Sequence, residues 1–263
     1  MTAQEIISHL FSEVPNGKLI GNWDICAAGN PETEVTKVAV AMFGTIDLIK
    51  QVKIWGAQLL IVHEPLFYDN PDNAPSGELA IAKKKIMDDS GMVIYRYHDH
   101  PHSVTPDLIG AGMFKYLGLE GEYEYPDVID LIRLKLTTPM TPRKVGKMIE
   151  ERLHIKHVRI CGALDAPCTK TSEMFGTPGG VNTELFSENC EILLTGEIGG
   201  EWYLPEYVRD AAALGQKKAI IVMGHIGSEH DCMRYITDLA QKKFPQIDIE
   251  YFECGEVYGY TEK

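Results

Sequence analysis

Gln58-Leu59-Leu60-Ile61-Val62-His63-Glu64-Pro65 is an apolar run that ends abruptly in an imidazole, a carboxylate and a proline. A short apolar run bounded in this way reads as a buried strand. Pro65 has no N–H to give to a ladder and marks the exit. Outward from this run the pattern alternates. Val35 to Phe43 reads as a strand and Ile46 to Trp55 as a helix. Glu78 to Ser90 reads as a helix closed by Gly91, and Met92 to Tyr97 as a strand. Thr105 to Leu117 reads as a helix ended by Gly118, and Tyr68 to Gly77 is a loop by composition. Strands alternating with helices predict a parallel sheet flanked by helices.

The N-terminus carries a capping-box pattern, Thr2 with Glu5, ahead of a helix to Val14 with Ile6, Ile7, Leu10 and Phe11 on one face. Glu120 to Asp127 is polar, carries a proline and reads as a linker. It divides the chain into an N-terminal α/β lobe, 1–122, and a C-terminal α/β lobe, 123–263. In the second lobe Asp130–Leu136, His157–Cys161, Glu191–Thr195, Lys218–Met223 and Ile247–Phe252 read as strands. Helices are predicted from Pro142, capped by Thr141, to Leu153, from Trp202 to Leu214, and from Ser228 to Lys243. The expected fold is α/β: two α/β lobes with mixed, largely parallel sheets flanked by helices.

Bulk properties narrow the function. A net charge of −13 over 263 residues argues against general nucleic-acid binding, because phosphate repels such a surface. The run Lys83-Lys84-Lys85 reads as a solvated helix face. Six scattered cysteines with no CxxC pair form neither a thiolate zinc framework nor a disulfide scaffold. No apolar run is long enough to span a bilayer, and the first residues read as a helix rather than a signal peptide. A cytoplasmic protein with no membrane partner is expected.

Three segments carry chemistry. The first is His63-Glu64-Pro65. The second is His98-Asp99-His100-Pro101-His102. The third is Gly224-His225-Ile226-Gly227-Ser228-Glu229. Each follows an apolar run that reads as a strand. If the three strands share one parallel sheet, their carboxyl ends meet at the edge where open α/β sheets hold ligands. Imidazoles and carboxylates gathered there are metal-site equipment. Each segment also has a plainer reading. His63 is then a histidine packed at a strand end, residues 98–102 a polar surface loop, and His225 with Glu229 a turn histidine and a helix-capping acid.

In an extended segment His98, His100 and His102 would share a face. Direct ligation is expected of His102, then His98, with His100 spare or supporting. Glu197 and Glu201 follow another apolar strand, where each reads as an acid/base group or as a surface ion-pair partner. Gly176-Thr177-Pro178-Gly179-Gly180 reads as a turn or as backbone exposed to an anion. Trp23-Asp24 reads as core plus cap. No GxSxG, P-loop or GxGxxG pattern is present.

Taken together, these segments resemble the Nif3-like family of dinuclear-metal hexamers, whose bacterial members are often labelled type-2 GTP cyclohydrolase I. Trp23-Asp24 is similar to the family's W-D-N-x-G-L, Val62 to Phe67 to its H-H-P-L, and Tyr95 to His102 to its Y-S-x-H-T-N-L-D. Leu194-Thr195-Gly196-Glu197 is similar to its T-G-E, and Gly224 to Glu229 to its G-H-x-x-x-E. The resemblance implies metal ligands at His63, Glu64, His102, His225 and Glu229. At two of these the chain departs from the family: Glu64 stands where a second histidine is usual, and His102 where an aspartate is. The exchange keeps three imidazoles and two carboxylates, so the charge offered to the metals is matched.

The implied cofactors are two divalent ions per chain, of zinc, iron, manganese or cobalt, held by segments of both lobes. The implied activity is metal-dependent hydrolysis of a small phosphorylated or nucleotide-like molecule, with Glu229, Glu64 and Glu197 as the catalytic carboxylates. The alternative is a non-catalytic metal-storage, metal-delivery or interaction protein. The resemblance also implies a homohexamer.

Overall fold

The computed structural model describes residues 1–11, 21–68, 75–128 and 130–261. Residues 12–14 of the predicted first helix and 69–74 of the predicted loop lie outside them. In chain order the elements are α1 (Ala3–Phe11), β1 (Ile25–Ala28), β2 (Lys37–Ala41), α2 (Ile46–Trp55), β3 (Leu59–Val62), α3 (Gly77–Ser90) and β4 (Val93–Arg96). Then follow α4 (Asp99–His102), α5 (Leu108–Leu117), β5 (Gly121–Glu124), β6 (Ile132–Met140), α6 (Pro142–Arg152), β7 (Arg159–Gly162) and β8 (Cys168–Met174). The chain continues with α7 (Val181–Phe186), β9 (Ile192–Thr195), α8 (Leu204–Ala213), β10 (Ala219–Val222), α9 (His225–Lys243) and β11 (Asp248–Tyr251). They form two compact units: residues 1–108 with 233–263, and residues 109–232.

The first unit holds a five-stranded sheet in the order β1-β4-β3-β2-β11. The pairs β11·β2, β2·β3 and β3·β4 are parallel, and β1 closes the edge antiparallel to β4. All four residues of β3 and of β4 are buried, as strands covered on both faces must be. On one face Leu48, Ile49 and Val52 of α2 and Met87 of α3 pack on Leu60, Val62 and Ile94.

Local chemistry sets the helix limits. In α1 the capping box forms both ways: Glu5 N–H donates to Thr2 Oγ1 at 3.2 Å, and Thr2 N–H to a Glu5 carboxylate oxygen at 2.9 Å. Thr45 Oγ1 accepts from Leu48 N–H to start α2, and Gly56, at φ 89°, ends it in the left-handed region.

The second unit holds a six-stranded sheet in the order β5-β6-β8-β9-β10-β7. Here β8·β9 and β9·β10 are parallel, while β5·β6, β6·β8 and β10·β7 are antiparallel. Leu193 and Ile220 pack with Val181 and Leu185 of α7 and Leu204 and Val208 of α8. No helix among the described residues is long and apolar enough to cross a membrane.

Three readings of the sequence change. The strands before the three chemical segments do not share one sheet: β3 and β4 lie in the first, β10 in the second. The predicted linker contains β5, which pairs with β6 from Gly121↔Leu136 to Glu124↔Arg133. Helix α9 begins at His225 rather than Ser228.

Strand β8, Cys168-Thr-Lys-Thr-Ser-Glu-Met174, has no apolar run to announce it, yet its last four residues are buried. Polar side chains satisfy one another there. Ser172 Oγ donates to Glu184 Oε1 at 2.6 Å, and Arg133 clamps the same carboxylate with two N–H groups at 2.9 and 2.8 Å.

Candidate metal centre

The structure groups the predicted site residues into two sets, one in each unit. The first set grows from the parallel pair β3·β4. Val62 stands opposite Arg96, so the two strands end side by side. His63 leaves β3 directly, and Tyr97 N–H donates to Val62 O at 2.7 Å before the chain reaches His98.

There the backbone does not run on extended. Asp24 turns its carboxylate onto three successive backbone N–H groups, of His98 at 2.5 Å, Asp99 at 2.9 Å and His100 at 3.1 Å. Donors so gathered begin a helical turn, and residues 99–102 form one. This corrects the expectation that His98, His100 and His102 share a face. At helical spacing His98 and His102, four apart, fall on one side. His100 turns inward, 1% exposed, with its ring 5.2 Å from that of Tyr97.

His63, His98 and His102 crowd together. Their ring centroids are 4.6 Å apart for His63–His98, 5.3 Å for His63–His102 and 5.1 Å for His98–His102. One nitrogen of each lies within 4.8 Å of the others. Every Nδ1 faces an oxygen that only accepts. His63 Nδ1 is 3.1 Å from Tyr97 O, His98 Nδ1 is 2.9 Å from Asp99 Oδ1, and His102 Nδ1 is 2.8 Å from Asp107 Oδ2. Nδ1 must therefore carry the hydrogen in all three, which makes Nε2 the lone-pair nitrogen. Histidines that bind metals are oriented in this way.

Burial holds the His63 imidazole well below its ordinary range of protonation, and lowers His98 as well. Both rings are thus disposed to the neutral form a metal takes. The Glu64 carboxylate is 6% exposed, and its charge opposes that lowering at both rings.

Trp23, Arg96 and Asp99 support this set. Arg96 Nε donates to His63 O at 3.1 Å, and the Trp23 ring lies 5.3 Å from the guanidinium. Asp99 Oδ2 accepts Trp23 N–H at 2.7 Å. The Trp23-Asp24 segment is core and cap together, and what it caps is the histidine turn. The supports Arg96, Asp99 and Asp107 carry no local signal in the sequence, because each acts through a contact that folding creates.

The second set grows from the parallel pair β9·β10, with Thr195 opposite Val222. The ladder continues one step, Gly224 N–H to Gly196 O at 3.0 Å. Gly224, at φ 84°, then turns the chain into α9. His225 Nδ1 lies 2.8 Å from Glu197 Oε1 and 2.9 Å from Thr177 Oγ1, while its Nε2 lies 3.2 Å from Glu229 Oε2. With the Nδ1 hydrogen on Glu197, Nε2 and the Glu229 carboxylate are two acceptors face to face. Such a pair is stable only with a proton or a cation between them.

Two glycines make room for this arrangement. A Cβ on Gly176, at φ +62°, would stand 2.3 Å from Glu229 Oε1, and one on Gly196 would stand 2.4 Å from Ser228 Oγ. The glycine loop thus yields a close approach to Glu229 at its first residue. Glu201 is placed elsewhere, in an exposed ion pair with Arg159.

The donors fit divalent ions of the zinc, iron, manganese or cobalt kind. The first unit supplies three imidazoles turned by their Nδ1 contacts and a buried carboxylate nearby, and the second supplies an imidazole facing a carboxylate.

Comparison with known proteins bears on the family and the fold. The chain is 22% identical over 234 residues to a GTP cyclohydrolase 1 type 2 homolog of Clostridium perfringens, covering 87% of this chain and 86% of that protein. It is 25% identical over 217 residues to the protein of the same name from Pyrococcus abyssi, covering 80% and 82%. The fold superposes on a Bacillus cereus protein related to NIF3 with a TM-score of 0.77, at 15% identity over 99% of both chains. It superposes on a Methanocaldococcus jannaschii protein, reduced HcgD, with a TM-score of 0.73, at 17% identity over 95% and 97%. The profile of the DUF34/NIF3 family (NGG1p interacting factor 3) matches residues 1–256, so the chain belongs to that family.

Proposed function

We propose that this protein binds two divalent metal ions per chain and uses them to hydrolyse a small phosphorylated or nucleotide-like substrate. The observation that carries the reading is the common setting of His63, His98 and His102: three clustered rings whose Nδ1 hydrogens are all committed to oxygens, which makes Nε2 the lone-pair nitrogen in each. In this reading His63, Glu64, His98 and His102 hold metal from the first unit, and His225 and Glu229 from the second.

When bound, such ions supply an activated water and polarise a substrate oxygen. The residues of the chain do the rest. Glu64 and Glu229, both buried, are the carboxylate donors beside the imidazoles of their sets. Glu197 is about half exposed; it orients His225 through Nδ1 and is the carboxylate best placed to exchange a proton with solvent. The substrate class is supported by the name of the curated relatives.

Metal analysis of untagged protein is the first test, with about two ions per chain expected and a sharp fall in His63→Ala and His102→Ala. A panel of phosphate esters and nucleotides, run with the matching metal, tests turnover. Metal that exchanges freely to a client protein, without turnover on any substrate, would instead establish a storage or delivery role. Light scattering tests the proposed homohexamer against a monomer of 29.4 kDa.

A further inference from the structure

The proposed ligand set places His102 where the family resemblance has an aspartate. The two groups make different demands. A carboxylate offers either oxygen to a cation in any protonation state above its pKa. An imidazole offers one nitrogen, and only in the matching tautomer. Something must therefore fix the proton on His102 Nδ1.

Asp107 does so. Its Oδ2 lies 2.8 Å from His102 Nδ1, with the two side chains 13% and 8% exposed. A charge-assisted bond so sheltered is weakly screened and strong. Asp107 lies five residues along the chain from His102, directly before α5.

We propose that Asp107 is the positioning residue of His102, holding it as the Nδ1–H tautomer with Nε2 presented and raising its basicity toward metal. This rests on the metal-binding reading above.

Two measurements test it. The first needs no metal: nitrogen chemical shifts of the His102 ring in metal-free protein. The Nδ1–H form is expected in the parent protein and a tautomer mixture in Asp107→Asn. An Nε2–H ring in the parent would overturn the proposal.

The second is affinity for manganese or zinc in competition with a chromophoric chelator. Asp107→Asn is expected to weaken binding by about 10–100-fold. In a His102→Asp background the same change should leave affinity unchanged or improve it, because two carboxylates would otherwise repel. A general packing role for Asp107 would weaken both backgrounds alike, and that result overturns the proposal. So does loss of one whole ion in Asp107→Asn with the other held at full affinity, which would make Asp107 a ligand itself. If the parent binds metal and Asp107→Asn binds it equally, this inference alone fails. If the parent binds none, the metal-binding reading fails with it.

Discussion

The carboxylate of Asp24 accepts the backbone N–H of His98 at 2.5 Å, across 74 residues of chain. With the bonds to Asp99 and His100 it converts an otherwise extended exit from β4 into a helical turn. Asp24→Ala should cost about 1–2 kcal/mol of stability, the upper range for loss of a helix cap. It should also weaken metal binding, because His98 and His102 lose their common side. Asp24→Asn, which keeps an acceptor, should recover much of both. Urea unfolding of metal-free protein and a chelator competition read the two effects separately.

Gly176 is fixed by the Glu229 carboxylate, 2.3 Å from where a Cβ would stand, and by a φ of +62°. Gly176→Ala should destabilise the protein by about 1–3 kcal/mol through overpacking. It should displace Glu229 as well. The measurement is thermal unfolding with and without added metal, with the metal-dependent increase in Tm expected to shrink along with the Tm itself.

Glu197 and Glu201 sit four residues apart and should behave differently. Glu197→Gln removes the charged partner of His225 Nδ1 and should lower both metal affinity and any turnover by at least 10-fold. Glu201→Gln breaks only an exposed pair with Arg159, a class of interaction worth about 0–1 kcal/mol, and should leave metal binding as it was. Equal losses in the two variants would contradict the placement of Glu197 in the site.

Glu173 gives a pH signature unrelated to metal. Its side chain is fully buried on β8, where Thr171 Oγ1 donates to Oε1 at 2.5 Å, and burial pushes its carboxyl well above the usual carboxylate range. The native state therefore keeps a proton that the unfolded chain releases above about pH 4.5. With more protons on the native side, stability falls as pH rises from that point toward the native pKa, by up to about 1.4 kcal/mol per pH unit. Glu173→Gln removes this slope. Urea midpoints at pH 5 and pH 8 should show the variant gaining on the parent at the higher pH.

Metal removal should lower Tm in proportion to occupancy, since a ligand held only by the native state stabilises it by about 2.7 kcal/mol at a hundredfold excess over Kd. In His63→Ala the shift on chelation should largely disappear. A parent protein whose Tm ignores both chelator and added metal would count against the two sets of ligands.

Much of the fold is legible in the chain. The runs at 59–62 and 219–222 are apolar throughout, and those at 93–96 and 192–195 are largely so, because those strands are buried along their whole length. Caps at Thr2, Thr45 and Thr141 and the stops at Gly56 and Gly91 act over a few residues, so they can be read locally. Strand β8 is illegible for the opposite reason. Its buried Ser172 and Glu173 look like surface until Glu184, Arg133 and Thr171 are in place to satisfy them.

The site divides along the same line. Residue type and position after a strand single out His63, His98, His102, His225 and Glu229, because strand ends are where side chains of this kind gather. That His98 and His102 share a side while His100 is packed inward was decided by Asp24, 74 residues away from His98. Which nitrogen each ring presents was decided by Tyr97, Asp99, Asp107 and Glu197. The sequence by itself determined the strands, the helix limits and the inventory of donors, since hydrophobic period and capping are short-range. Only the tertiary structure decided the sheet to which each strand belongs and the orientation of each imidazole. Those depend on hydrogen bonds whose partners are brought together only when the chain has folded.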